Sequence, residues 1–271
     1  MKSILPHISG DVGMEARLQA ALDLARAHSA HLTCLQAVNC EFYAPGDFFG
    51  TAMAVAVPHI KKAAEELRAK IEAALAKEDV AWEWVLRHGM AETMLLEQSV
   101  LQDLIIVGRH DVGSRGRSPS SLVGELALNA PAPVLVIPDE LERLDTAGPV
   151  MVAWNGSSEA CVALRSALPV LGTANEVILA NVSEEADRER FDFPPVEGAK
   201  YLSRHGIEAE LVDIPRGDEK VAEAMFTAAK FRGCSMLVMG AFGHSRLSEF
   251  LLGGVTRSAL MDPQLPILLA H

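Results

Sequence analysis

Two glycines, Gly240 and Gly243, stand directly after the wholly apolar run Met236-Leu-Val-Met239, and Gly253-Gly254 follows to give the spacing Gly-x2-Gly-x9-Gly. Glycine has no Cβ, so such a backbone turns sharply and lets a ligand approach closely. Val255 opens an expected helix, Val255–Met261, whose first free N–H groups and positive dipole end favour a phosphate, with the Thr256 hydroxyl as a further donor. His244 lies within the same loop, where an imidazole can contact a phosphate or act on one. A second stretch, Asn155-Gly156-Ser157, follows another apolar run, Val150-Met-Val-Ala-Trp154. These residue types in this pattern point to recognition of a phosphate-bearing small molecule. The plain structural alternative is that the glycines only end a strand and begin a helix.

Both stretches must be positioned by strands, and the order of segments around them occurs twice in the chain. Ser3–Ile8, a polar turn and a helix around Arg17–His28 are matched by Val150–Trp154, Asn155–Ser158 and a helix over Glu159–Leu171. The β-rich runs His31–Val38 and Glu176–Val182 come next, then a long helix at Pro58–Lys77 and a shorter one at Pro195–Arg204. Third strands are expected at Ala81–Arg87 and Glu208–Ile214, followed by Gly89 and Gly217 and by helices Ala91–Val100 and Asp218–Phe231. Apolar fourth strands, Leu104–Val107 and Met236–Met239, end on Gly108 and Gly240, and Pro133–Ile137 and Pro266–Ala270 close the two units. Strands apolar on both faces that alternate with helices predict a parallel sheet covered on both sides. The fold class is therefore α/β, in two tandem doubly wound domains, 1–146 and 147–271, joined through the charged segment Asp139–Gly148.

With 49% hydrophobic and 22% charged residues the chain has ample apolar surface for a core. A net charge of −12, with both halves acidic, argues against nucleic acid as a partner. No apolar stretch is long enough to cross a membrane and the start lacks a signal-like apolar run, so the expected location is the cytoplasm. Cys34, Cys40, Cys161 and Cys234 form no CxxC pair and read as buried reduced thiols. A zinc site from Cys234 with His205 or His244 matches no structural zinc spacing. Trp82 and Trp84 alternate along a strand and are expected to pack together under a helix.

The Gly-x2-Gly-x9-Gly loop after the fourth strand of a βα repeat resembles the nucleotide loop of the universal stress protein family, and Ala130-Pro-Ala-Pro-Val-Leu-Val136 resembles that family's run before the last strand. The resemblance implies five-stranded parallel sheets of order 3-2-1-4-5 and two domains packed as an internal pseudo-dimer through their final strands, with a further homodimer open to it. It implies an ATP or AMP site lined by Asn155, Gly156, Val182, Gly240, Gly243, His244, Gly253, Gly254, Val255 and Thr256, with magnesium present only alongside nucleotide. Two departures matter. Gly254 stands where the family has Ser or Thr, and Asn155 stands where it has Asp.

The first half departs further, with Asp111 in place of the second loop glycine and Ile8 read as the residue at the acidic position. Arg109, Arg115 and Arg117 remain as groups able to meet an anion, and the first domain is expected to be structural or to hold another ligand. No GxxxxGK[ST], GxSxG or HExxH pattern occurs, so the common catalytic layouts lack their parts. Regulatory nucleotide binding is the expected function. The alternatives are a stress-response scaffold that binds no nucleotide and a slow ATP hydrolase using His244.

Overall fold

The computed structural model describes residues 1–39, 51–110, 120–183, 196–215, 219–241, 254–261 and 263–271. Its first half contains β1 (Ser3–Ile8), α1 (Met14–His28), β2 (His31–Val38), α2 (Thr51–Leu75), β3 (Trp82–His88), α3 (Ala91–Gln98), β4 (Leu104–Gly108), α4 (Ser121–Asn129) and β5 (Val134–Ile137). The second contains β6 (Val150–Ala153), α5 (Ser158–Ser166), α6 (Leu168–Leu171), β7 (Val177–Ser183), α7 (Glu197–Arg204), β8 (Glu210–Pro215), α8 (Val221–Phe231), β9 (Met236–Gly240), α9 (Gly254–Met261) and β10 (Ile267–Ala270).

All ten strands lie in one sheet of order β3-β2-β1-β4-β5-β10-β9-β6-β7-β8. Each half therefore has the order 3-2-1-4-5, and every pairing within a half is parallel. The halves meet in an antiparallel pairing, β5 with β10, where Leu268 stands opposite Leu135. That pairing realises the expected internal pseudo-dimer.

Strand composition explains why the sheet is sandwiched. Leu104, Ile105, Ile106 and Val107 of β4 are all fully buried, as a strand with helices on both faces requires. One layer of the core joins α1 to β1, β2, α5 and β6, and includes Ile4, Leu24, Ile106, Val152 and Leu268. The other lies under α4, α8 and α9, with Leu126, Val136, Phe226, Leu237 and Leu260. The outer strands β3 and β8 carry Glu83, Arg87, Glu210, Asp213 and Pro215, charges and a proline that blunt an open edge.

Helix boundaries differ from expectation in several places. The helix expected from Pro58 begins at Thr51 and passes through Pro58. A proline costs a helix one backbone bond and crowds the preceding turn, and α2 runs through it nonetheless. The helix expected over Glu159–Leu171 is divided into α5 and α6, with Pro169 in the first turn of α6. The helix expected over Ala91–Val100 tightens into a 3-10 turn at Ser99–Leu101. The tryptophans behave as expected: Trp82 and Trp84 pack against the same core layer, and the Arg68 guanidinium of α2 lies 5.8 Å from the Trp84 ring centre.

The linker is more structured than its charge suggested. Leu144 is buried, and its N–H donates to the Asp23 carboxylate of α1 over 3.0 Å. Cys34 and Cys234 are buried, and burial pushes their thiols up to about 12 and about 11, so both stay protonated. Cys40 lies outside the described residues. Among the described residues no helix is long and apolar enough to cross a membrane.

Because Leu268 is buried at the β5–β10 seam, Leu268→Ala is expected to cost about 2–5 kcal/mol. Leu101→Ala, at a site 88% exposed, is expected to stay within about 0.5 kcal/mol. Urea unfolding followed by circular dichroism checks both, and the seam predicts that Leu268→Ala shifts one common transition for the two halves.

Candidate ligand site at the strand ends

In each half the strand order reverses between the first and fourth strands, and ligands of open parallel sheets collect beyond the carboxyl ends of such a pair. In the second half these strands are β6 and β9, registered through Val150–Met236 and Val152–Val238. Asn155 and Gly156 follow β6, and Gly240 ends β9. The chain returns along α9 to reach β10, so the first turn of α9, Gly254 to Thr256, begins at the same end. The fold thus brings Asn155, Gly156, Gly240, Gly254, Val255 and Thr256 to one end of one strand pair. Gly243, His244 and Gly253 lie outside the described residues.

Each of these residues has a local reason for its place. Gly156 adopts φ +74°, a conformation that strains residues with a Cβ. The Asn155 side-chain Oδ1 accepts the Ser157 N–H over 3.0 Å, and the Ser157 hydroxyl accepts the Ala160 N–H over 3.2 Å to cap α5. With its oxygen engaged, Asn155 offers a ligand chiefly its NH2 donor. A Cβ on Gly240 would sit 2.6 Å from the carbonyl carbon of Glu159, so this glycine lets the start of α5 close onto the end of β9. The packing role that sequence spacing left open is therefore real for Gly240. Val182 lies near the end of β7, opposite Ile214 of β8, and packs against the core layer beneath α8. Val255 is exposed, whereas Thr256 is buried at 4% exposure.

The first half has the same frame and a different filling. Ile4 faces Leu104 as Val150 faces Met236, and five residues further on the equivalent of Asn155 is Ser9. Ile8, read from sequence as the counterpart, instead matches the buried Trp154, and both are core residues of one layer. One residue of slip exchanges the two faces of a strand, which is why the assignment failed.

Arg17 of α1 is buried at 1% exposure against these strand ends. Its Nε donates to the His7 carbonyl over 2.7 Å, and its Nη2 donates to the Ser9 hydroxyl and the Asp11 carboxylate, each over 2.8 Å. Asp11 also receives the Ser9 hydroxyl and, over 2.9 Å, the Gly13 N–H. A Cβ on Gly108 would collide with the Arg17 guanidinium, so glycine ends β4 in order to admit this side chain. At the equivalent position of α5 the second half has Ala163. Sequence reading passed over Arg17; the available signal was an arginine in the apolar stripe of a helix, preceded by Ser9 and Asp11.

Of the arginines offered as anion contacts, Arg109 donates to Asp139 over 2.9 Å, while Arg115 and Arg117 lie outside the described residues. Among the described residues no group of three His, Cys, Asp or Glu side chains is placed to hold a metal ion.

The model of the universal stress protein family matches residues 1–138 and again 147–271, so the two copies account for nearly all of the chain. The chain belongs to the universal stress protein family. Among solved structures it is similar to a universal stress protein from Archaeoglobus fulgidus DSM 4304, with a TM-score of 0.76 and 16% identity over 99% of this chain and 97% of that one. A putative universal stress protein from Pseudomonas aeruginosa UCBPP-PA14 gives a TM-score of 0.62 and 19% identity, over 100% of this chain and 93% of that one. At these identities the likeness is one of fold. No curated protein matches the chain at a significant level. Membership of the family fits the tandem arrangement of two 3-2-1-4-5 sheets.

The first-half network makes the protein acid-labile in a defined window. Burial, aided by the Arg17 charge and opposed by Asp11, lowers His7 from 6.5 to about 3. The unfolded chain then binds a proton below pH 6.5 that the folded chain refuses until about pH 3, so stability falls as pH drops through that range. Burial alone would raise the Asp11 carboxyl, but the Arg17 charge and the bonds from Arg17, Ser9 and Gly13 hold it below 3.8. Its contribution is present above 3.8 and is lost as pH falls further. In urea titrations from pH 7 to 4, His7→Leu is expected to remove up to about 3 kcal/mol of the wild-type decline, at about 1.4 kcal/mol per pH unit.

Proposed function

We propose that this universal stress protein is a regulatory nucleotide binder whose second domain, 147–271, holds an adenine nucleotide, ATP or AMP. The observation that carries the reading is the convergence of Asn155, Gly156, Gly240 and the first turn of α9 beyond the carboxyl ends of β6 and β9. Strand ends at a reversal of strand order, with glycines that admit close approach and a helix start able to receive phosphate, form a suitable cradle for such a ligand. Val182 supplies an apolar contact near the end of β7, and the Asn155 NH2 supplies a donor. Gly243, His244 and Gly253 complete the phosphate-facing loop in this reading, with Gly254, Val255 and Thr256 at the helix start. Magnesium enters only with the nucleotide. The first domain, 1–146, serves as the structural half of the pair, because Arg17 fills the corresponding strand ends. The setting proposed is cytoplasmic, with the two halves as an internal pseudo-dimer and a homodimer as the next level of assembly.

A second reading, a scaffold without nucleotide, is favoured by one observation: Gly240 is already explained by the closeness of α5. The two are separated by denaturing the purified protein, identifying released small molecules by mass spectrometry, and titrating ATP and AMP by calorimetry. Released adenine nucleotide, or binding of ATP or AMP, is the expected result. No nucleotide and no heat at millimolar concentrations would sink the proposal. Gly243→Val is expected to abolish binding while leaving the thermal midpoint unchanged, since a branched side chain enters the space meant for phosphate. Turnover of ATP that is lost in His244→Ala would instead make the protein a slow hydrolase.

A further inference from the structure

The second domain closes the α5–α7 face of its sheet less completely than the first domain closes the matching face. Since Ile4 matches Val150, the pairs Cys34–Trp84 and Gln36–Leu86 of β2 and β3 match Leu179–Leu211 and Asn181–Asp213 of β7 and β8. In the first half α2, 25 residues long, covers this face: the Gln36 amide donates to the Ala64 carbonyl over 3.0 Å, and Arg68 stands over the Trp84 ring. The matching helix α7 has only 8 residues and meets the face at Gly198, where a Cβ would stand 2.8 Å from the Trp154 ring. Among the described residues the result is a cavity of about 120 Å3, lined by Trp154, Leu179, Asn181, Leu211, Val212 and Asp213. Its floor is apolar, with Trp154 4% and Leu179 1% exposed, and Leu211 forms the outer wall. Asn181 Nδ2 donates to Asp213 Oδ1 over 3.1 Å, which leaves Asn181 Oδ1 and Asp213 Oδ2 as acceptors at the rim. Among the described residues no cation pairs with Asp213. Val182 packs into the other core layer, so this cavity and the nucleotide contact proposed for Val182 lie on opposite faces of β7.

We propose that this cavity binds small organic ammonium ions, with Asp213 as the counter-charge, Asn181 as a second acceptor, and Trp154, Leu179 and Leu211 enclosing the apolar group. A site whose polar groups only accept, beside an apolar floor, recognises a cation with an apolar body. An ammonium is a compact charge with three donors, so it meets two oxygens that come from different side chains, where the planar guanidinium fork matches a single carboxylate. A cavity of about 150 Å3 holds a benzene ring, so one of about 120 Å3 that is open at its rim fits an apolar group of about one ring. The net charge of −12 favours the approach of cations. Nucleotide binding in the second domain is not required for any of this.

The test titrates the full chain with benzylamine at neutral pH and follows the Trp154 indole N–H and Asn181 side-chain NH2 resonances. Wild type is expected to show saturable shifts of both at millimolar benzylamine, and at least tenfold weaker binding of benzyl alcohol, which has the same shape and no charge. Asp213→Asn is expected to weaken benzylamine at least tenfold and to bring the two ligands level. Leu211→Ala, which removes the apolar wall and keeps the charge, is expected to weaken both ligands by a similar factor. No saturable shift in wild type, equal binding of benzyl alcohol, or benzylamine binding unchanged by either variant overturns the proposal. So does a shift with protein concentration in the absence of amine, which would seat a second copy of the chain on this face. Asp213 and Leu211 are both exposed on the outer strand, so both variants are expected to keep the wild-type melt. Should either fail to fold, the ratio of benzylamine to benzyl alcohol affinity in wild type carries the test alone.

Discussion

The antiparallel pairing of β5 with β10 is the constraint on which the rest of the molecule depends. It converts two five-stranded sheets, each with a vulnerable apolar edge, into one ten-stranded sheet whose remaining edges, β3 and β8, carry charges and a proline. It also orients the two halves. Since β5 and β10 run in opposite directions while all pairings within each half are parallel, the carboxyl ends of the first-half strands point the opposite way from those of the second. The two strand-end crevices therefore open at opposite ends of the sheet, and each is free to be filled in its own way.

That freedom is visible in the side chains. Ser9, Asp11 and Arg17 in the first half correspond to Asn155, Ser157 and Ala163 in the second. The two glycines that end the fourth strands have different neighbours: Gly108 makes room for a guanidinium, and Gly240 makes room for the backbone of α5. A glycine at an equivalent position in a repeat thus does not carry one fixed meaning.

How much was legible in the sequence follows from the range of each interaction. The central strands were legible because a strand buried on both faces writes a continuous apolar run, and Leu104–Val107 and Met236–Met239 are such runs, whereas their order in the halves came from the family resemblance. Helix ends were less so, since Pro58 reads as a helix start and instead lies inside α2. That Asn155, Gly156, Gly240 and the start of α9 gather at the ends of β6 and β9 was legible from spacing, because βα connections are local. Ser9 was missed in favour of Ile8 because register is a relation between strands, and one residue of slip reverses the face. The Arg109–Asp139 contact joins the end of β4 to the linker beyond β5, and no local pattern announces such a pair.

The burial of Arg17 decides how the first half is to be understood. Moving a guanidinium out of water is costly, and a buried ion pair seldom stabilises a fold more than well-packed apolar residues would. Here the cost is offset only because the His7 carbonyl, the Ser9 hydroxyl and the Asp11 carboxylate all accept from the same guanidinium. Removal of Asp11 leaves the Arg17 guanidinium buried without its counter-charge, a loss of about 3–5 kcal/mol in comparable cases. A crevice closed in this way cannot be opened by a small ligand that merely competes for Arg17, because the ligand would have to repay the whole set. Asp139 stands outside that set and pairs instead with Arg109, over 2.9 Å. The first domain's strand ends are thus closed twice, by a guanidinium 1% exposed at Arg17 and by one 18% exposed at Arg109, and the cost of moving a cation out of water falls mainly on the first.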